Sequence, residues 1–290
     1  MNPVAVADER VATSGRVLDF VLPPELEAHE PPEARGLARD QVRLLVSFRD
    51  SDRIVHARFT DLPGFLRPAD LLVVNDSATL PAALKAHRPD GAAIALHLST
   101  RLTDGLWIVE PRRANAAPGE LVPPQVAEGE RLALPGRGGA TLLVPYADSH
   151  RLWVARLDLP QPVFDYLHRL GRPITYPYIH GEWPIEMYQT VFARVPGSAE
   201  MPSAARPFTP QVIAELARAG IGLAKITLHT GVASLEREEP LYEEFYTVPQ
   251  KTAEAIRAAR AAGGRIIAVG TTVVRALESA VDEDARVVAS

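Results

Sequence analysis

Residues 264–279 read GRIIAVGTTVVRALES, and this stretch decides the fold class. Arg265–Val269 is a compact apolar run of strand length, Gly270 breaks it, and Thr271–Ser279 follows as a helix. A buried strand that passes through a glycine into a helix belongs to an α/β protein. Two further stretches share the pattern of an apolar strand ending in polar turn residues. KITLHTGVAS at 225–234 places His229 where the strand Leu223–Leu228 gives way to a glycine turn. DLLVVND at 70–76 runs the strand Asp70–Val74 into the turn-type cluster Asn75-Asp76-Ser77.

Helices are predicted around these strands. One is Val163–Leu170, and another is Pro210–Ala219, with Thr209 as N-cap and Gly220 as stop. A third is Pro249–Ala262, with Pro249 in its first turn and Gly263-Gly264 ending it. Near the start, residues 23–40 are rich in Pro, Glu and Arg and read as a surface loop, followed by short strands at Val42–Phe48 and Ile54–Phe59. From about Ala92 to Leu157 the texture is β-only. The segments Ala93–Leu98, Leu106–Glu110, Arg131–Leu134, Thr141–Pro145 and Leu152–Leu157 alternate with Gly, Pro and Asp punctuation, which suggests a small antiparallel barrel or sandwich. The reading is a mixed α/β domain with a β-only insertion or appendage.

Composition narrows the function classes. The 290 residues are 47% hydrophobic and 23% charged, enough to bury one large core or two ordinary ones. The longest apolar runs are strand-sized, so no membrane partner is expected. Met1–Arg10 lacks the basic-then-apolar pattern of a secretory signal, and a cytoplasmic location is the expectation. With no cysteine, disulfides, thiolate metal sites and cysteine nucleophiles are excluded. A net charge of −5 argues against a surface given over wholly to nucleic acid and leaves local basic patches open. No Walker A loop, GxGxxG, HExxH or GxSxG occurs, so P-loop phosphoryl transfer, Rossmann dinucleotide binding and zinc hydrolysis lose ground.

Five clusters could carry chemistry. Thr271 and Thr272 present hydroxyls and amides at a helix N-terminus, where an anionic or polar ligand is stabilised; the same residues serve equally as a cap, with Arg275 on a solvated face. His229 at a strand end is a general acid or base, or a structural histidine. Tyr188-Gln189-Thr190 precedes the loop GSAEMPSAARPFT at 197–209, and Gln189 offers an amide suited to a base edge. Asn75-Asp76 is an Asx-turn or the polar lip of a pocket. Glu243-Glu244, beside Tyr242, Phe245 and Tyr246, could hold a purine or a sulfonium cation, or form a satellite core patch.

Taken in order, VLPPEL (21–26), RLLV (43–46), DLLVVND (70–76), Pro81, Leu84, PYI (177–179), YQTVFA (188–193), the 197–209 loop, ITLHTG (226–231) and IIAVGTTVVRALES (266–279) form a collinear series. The series resembles the blocks of the S-adenosylmethionine:tRNA ribosyltransferase-isomerase family of queuosine biosynthesis, from about residue 18 to 279. The resemblance implies an α/β barrel-like main domain, residues 1–75 and 158–290, and an inserted antiparallel β-barrel domain, residues 76–157. It implies transfer and isomerisation of the ribosyl part of S-adenosylmethionine onto a 7-aminomethyl-7-deazaguanine base in tRNA. Adenine and methionine leave, and epoxyqueuosine stays in the RNA. Such chemistry needs a base, groups that orient ribosyl hydroxyls and a donor near the departing adenine, with S-adenosylmethionine as co-substrate and no bound metal or cofactor.

Carried over by motif, the implied catalytic residues are His229, Glu244 and Asp76. The implied substrate-binding residues are Asn75, Tyr188, Gln189, Ser198, Pro202, Ser203, Gly231, Thr271, Thr272 and Arg275. The implied partners are tRNA and S-adenosylmethionine, and a monomer is favoured. The sequence departs from the family pattern in the loops. PSAARPF stands for PTAGLHF, so Ala205 and Pro207 replace a glycine and a histidine. HTGVASL stands for HVGxGTF, altering Ala233 and Leu235, and the segment through Tyr242 to Glu244 lacks the family's histidines. The family also continues past the position of Ser290. Two alternatives therefore stay open: the same scaffold with a small-molecule acceptor, and a non-catalytic nucleoside- or RNA-binding relative.

Overall fold

The structure, a computed structural model, describes residues 21–113, 124–147, 149–176, 178–232 and 242–290. The expectations for Met1–Arg10, Pro177, Ala233 and Leu235 fall outside the described residues.

In chain order the strands are β1 (Arg43–Phe48), β2 (Arg53–Arg58), β3 (Leu71–Asn75), β4 (Ser77–Thr79), β5 (Ala83–His87), β6 (Ala93–Arg101), β7 (Leu106–Arg113), β8 (Arg131–Leu134), β9 (Gly138–Pro145) and β10 (Trp153–Asp158). Helix α1 (Val163–Leu170), β11 (Val195–Ser198), α2 (Pro210–Arg218), β12 (Gly222–Leu228), β13 (Tyr246–Thr247), α3 (Gln250–Ala261), β14 (Ile266–Ala268) and α4 (Thr271–Ser279) complete the series.

Strand β3 is buried along its whole length, as a central strand of a parallel sheet covered on both faces must be. It lies between β12 and β14, parallel to both, with Leu71 opposite Gly222 on one side and Ile266 on the other. β13 closes the far edge antiparallel, giving an open sheet ordered β13-β12-β3-β14. Each fully buried Leu or Val here contributes roughly 1.5–3 kcal/mol. At the entrance to β3, buried Asp70 accepts the amides of Arg67 at 2.7 Å and Arg265 at 2.9 Å and pairs with the Arg265 guanidinium at 2.5 Å. That lock sets β14 in register with β3.

Ring closure belongs to the antiparallel part. β10-β7-β6-β5-β8-β9 form a closed six-stranded barrel. Its core includes Leu84, Leu96, Leu132 and Leu142, and helix α1 seats Tyr166 and Leu167 in the same core, with the Tyr166 hydroxyl donating to the Pro135 carbonyl. The five segments read as strands from the sequence are strands β6 to β10. The first barrel strand, β5, precedes the β-rich texture because ALKAH turns Lys85 and His87 outward and only small or single apolar residues inward. β4 and β11 pair in parallel from residues read as turn and loop. Thr209 caps α2 as expected, accepting the Val212 amide at 3.3 Å, whereas Pro249 is extended and precedes α3 instead of lying in its first turn.

Candidate active site

Because β3, β12 and β14 run parallel in aligned register, the turns Asn75–Ser77, His229–Gly231 and Gly270–Thr272 emerge on one side of the sheet. Ligands of α/β sheets sit at such carboxyl ends. The His229 ring is held there by Ser77, whose hydroxyl lies 2.8 Å from Nδ1. Ser77 Oγ is also 2.6 Å from Ser198 Oγ, and Ser198 accepts the Thr230 amide at 3.0 Å. The fit under the ring is close: a Cβ on Gly197 would stand 2.5 Å from it. Phe245 stacks on the imidazole with centroids 5.4 Å apart and planes 21° from parallel. Burial lowers the imidazole pKa from its ordinary value, with the nearby Asp76 carboxylate opposing. Asp76 itself accepts the Thr227 hydroxyl at 2.7 Å.

Glu244 is bonded to the turn that follows His229. One of its carboxylate oxygens accepts the Gly231 amide at 2.8 Å, and the other takes Arg275 Nη1 at 2.5 Å. Arg275 also donates to the Tyr242 carbonyl at 2.5 Å. The structure thus joins Glu244, Gly231 and Arg275 in one partly buried unit, and Arg275 is an ion-paired residue instead of a solvated one. Tyr242, which stands near the position of a family histidine, donates its hydroxyl to the Val232 carbonyl, and burial pushes its phenol up to about 12. Barrel residues clamp the same turn. Ser99 accepts the Val232 amide at 2.9 Å, and Arg151 reaches the Val232 carbonyl at 3.5 Å while pairing with buried Glu110 at 2.9 Å.

Gly270 enters α4 at φ 96°, a conformation glycine alone adopts without strain, and a Cβ there would meet Ala204 at 3.0 Å. Ala204 brings the turn that holds Pro202 and Ser203 against the start of α4. Thr271 is exposed, and the amides of Thr271 and Thr272 begin the helix with no earlier helical carbonyl to bind them.

Two of the amides selected from the sequence belong to the frame. Asn75 is completely buried; Nδ2 donates to the Leu228 carbonyl at 2.8 Å and to Thr272 Oγ1 at 3.4 Å, while Oδ1 accepts the amides of Leu228 and Ser77 at 3.0 Å each. Gln189 mimics a paired strand, accepting the Thr79 amide at 3.0 Å and donating to the Thr79 carbonyl at 2.8 Å, so its amide is committed to the chain rather than to a base edge. Tyr188 gives its carbonyl to Thr79 Oγ1 at 2.7 Å, and its buried hydroxyl has no partner among the described residues. The sequence reading passed over Ser77 as a turn former. It also missed Glu200, which takes a hydrogen bond from Tyr176 whose phenol is raised by burial and by that carboxylate. A hydroxyl directly after Asn-Asp at a strand end was the available signal for Ser77.

Two of the clefts among the described residues bear on the site. The larger, about 870 Å³, lies between residues 33–41 and the first turn of α2, and no strand-end residue lines it. The other, about 390 Å³, opens where the barrel meets the sheet and includes His229, Phe245 and Gly197 with Thr100, Arg101 and Trp107. Among the described residues, no cluster of three or more His, Asp or Glu could hold a metal, and no helix is long and apolar enough to cross a membrane.

The description "Queuosine biosynthesis protein" matches residues 16–289. The chain belongs to that family. Among curated relatives, the S-adenosylmethionine:tRNA ribosyltransferase-isomerase of Thermus thermophilus is 38% identical, over 93% of this chain and 78% of its own length. The proteins of the same name from Thermotoga maritima and Symbiobacterium thermophilum are 37% and 39% identical, over 90% and 93% of this chain and 75% and 77% of theirs. A crystal structure of an S-adenosylmethionine tRNA ribosyltransferase from Thermotoga maritima is 31% identical, covering 90% of this chain and 71% of that one, with a TM-score of 0.41.

Proposed function

We propose that the chain is an S-adenosylmethionine:tRNA ribosyltransferase-isomerase. It moves the ribosyl part of S-adenosylmethionine onto a 7-aminomethyl-7-deazaguanine base in tRNA and forms epoxyqueuosine. The observation that carries this reading is the match over nine-tenths of the chain to enzymes of that name. Neither a small-molecule acceptor nor a non-catalytic relative is favoured by those names.

Within this reading His229 is the base. In the tautomer that donates Nδ1–H to Ser77, the lone pair of Nε2 is available, and the lowered pKa keeps the ring neutral at neutral pH. Glu244 and Asp76 shape the charge around the reacting ribosyl group, and Arg275 fixes the Glu244 carboxylate. Thr271 and Thr272 offer hydroxyls and free amides to the donor at the head of α4. Asn75 and Gln189 take part only by holding this frame, and Pro202 and Ser203 close over the same edge. We assign residues 76–157 to the barrel domain and the remainder to the catalytic domain, acting as a cytoplasmic monomer without a bound cofactor.

Mass spectrometry of adenine and methionine released from S-adenosylmethionine tests the reading. Release in equal amounts is expected only with tRNA that carries the aminomethyl-deazaguanine base. A folded protein that releases neither with that tRNA would sink it.

A further inference from the structure

Resting on that function, we propose that the cleft between the barrel and the end of β12 receives the acceptor base, turned out of its strand and stacked on Phe245. The Phe245 ring is 58% exposed although it lies against the His229 imidazole inside the cleft. An exposed aromatic ring beside an acid–base residue is a platform for an unstacked base. The volume, about 390 Å³, suits one nucleotide and excludes a duplex, so the base must leave its stack to enter.

Polar groups at the cleft complete the argument. Thr100 lines it, and its buried hydroxyl has no hydrogen-bond partner among the described residues. A ligand heteroatom would satisfy it, and leaving such a group unsatisfied costs free energy. Arg101 lies at the same cleft, exposed and without an ion pair among the described residues, where a phosphate of the RNA backbone would pair with it. A free cation suits an anionic strand and repels the sulfonium of S-adenosylmethionine. The carboxylates of Glu244 and Glu200 lie outside this lining and favour the donor elsewhere. His229 lines the cleft and uses only Nδ1 on Ser77, which leaves Nε2 for the aminomethyl nitrogen of the base.

The test compares wild type with Phe245→Ala, Phe245→Trp and Arg101→Ala. Equilibrium binding is measured to tRNA bearing the aminomethyl-deazaguanine base and to the same tRNA bearing guanine, alongside KM for S-adenosylmethionine. Phe245→Ala is expected to weaken the base-bearing tRNA by roughly tenfold or more, spare KM for the donor, and erase the preference over guanine tRNA. Phe245→Trp restores it. Arg101→Ala weakens both tRNAs alike and lowers the salt dependence by about one released counterion. A rise in KM for S-adenosylmethionine with unchanged tRNA binding overturns the proposal, as does equal loss on both tRNAs from Phe245→Ala, or no loss at all. Binding of the two tRNAs is read at equilibrium without turnover, so the two readings fail separately. A wild type that prefers the base-bearing tRNA through Phe245 yet releases no adenine would refute the reaction and keep the cleft.

Discussion

Strands β3, β12 and β14 finish side by side, yet the end of β3 differs in kind from the other two. At the end of β3 the Asn75 amide is saturated by Leu228, Ser77 and Thr272, and no face of it meets solvent. At the end of β12, His229 spends one ring nitrogen on Ser77 and keeps the other. At the end of β14, Gly270 has no side chain, Thr271 is exposed, and the first amides of α4 are unpaired by the helix. Position alone marks all three as site candidates. Hydrogen-bond saturation divides them: a polar group whose valences are all met inside the fold holds the others still, and one with a spare valence is open to a ligand.

The largest expected effect breaks the open side of this comparison. His229→Gln should lower kcat by roughly 10²–10⁴-fold, the usual contribution of a positioned base, with a urea midpoint close to wild type. In the wild type the acid limb of the kcat/KM profile should fall below the ordinary imidazole value of about 6.5, because burial holds the folded pKa down. Activity persists as pH drops through that value and is lost at the lowered one. A limb at or above the ordinary value would contradict the role.

On the closed side, Asn75→Ala should cost about 3 kcal/mol in urea denaturation, since it strands the buried amides of Leu228 and Ser77. Losing activity without losing stability would place Asn75 with the site after all. A smaller loss, about 2 kcal/mol, is expected for Asp70→Asn at the opposite end of β3. The Arg265 guanidinium, by hydrogen bonding, holds the Asp70 carboxyl far below the usual carboxylate range against the effect of burial. A depressed carboxylate contributes stability above its unfolded pKa of about 3.9 and loses it as pH falls through the folded value. The gap between wild type and variant should therefore be flat near neutrality and narrow only below about pH 4. Smallest of all, Thr271→Ala should change stability by less than about 0.5 kcal/mol while raising KM for S-adenosylmethionine a few-fold in steady-state assays. A stability loss like that of Asn75→Ala would make Thr271 a frame residue.

Much of this was legible in the sequence. Strands with long apolar runs and punctuated ends, such as Leu71–Val74, announce themselves because burial on both faces demands the run. Short elements do not: Ser77–Thr79 and Val195–Ser198 pair through backbone groups that leave no trace in side-chain pattern. The site shows the same division. His229, Glu244 and Arg275 stood out by type and place, but the reach of Gln189 to Thr79, 110 residues away in sequence, exists only in three dimensions. Nothing in a linear reading shows that an amide is already spent. Nor does it show that Tyr242, in a segment where the family has histidines, is pinned to Val232 and so serves as a fixture.

The sheet topology also bears on how the protein behaves in a crowded solution. A barrel that closes on itself offers no strand rim, and the open sheet is bordered by strands of only two and three residues, Tyr246–Thr247 and Ile266–Ala268. Rims that short give another chain little backbone to zip onto. The separate hairpin β1–β2 has six-residue strands, and it carries arginines at 43, 53 and 58 that repel a like copy. Aggregation by strand addition is thereby guarded against at each of these margins, so the polar turns at the carboxyl ends of the sheet need not double as a defence against self-association.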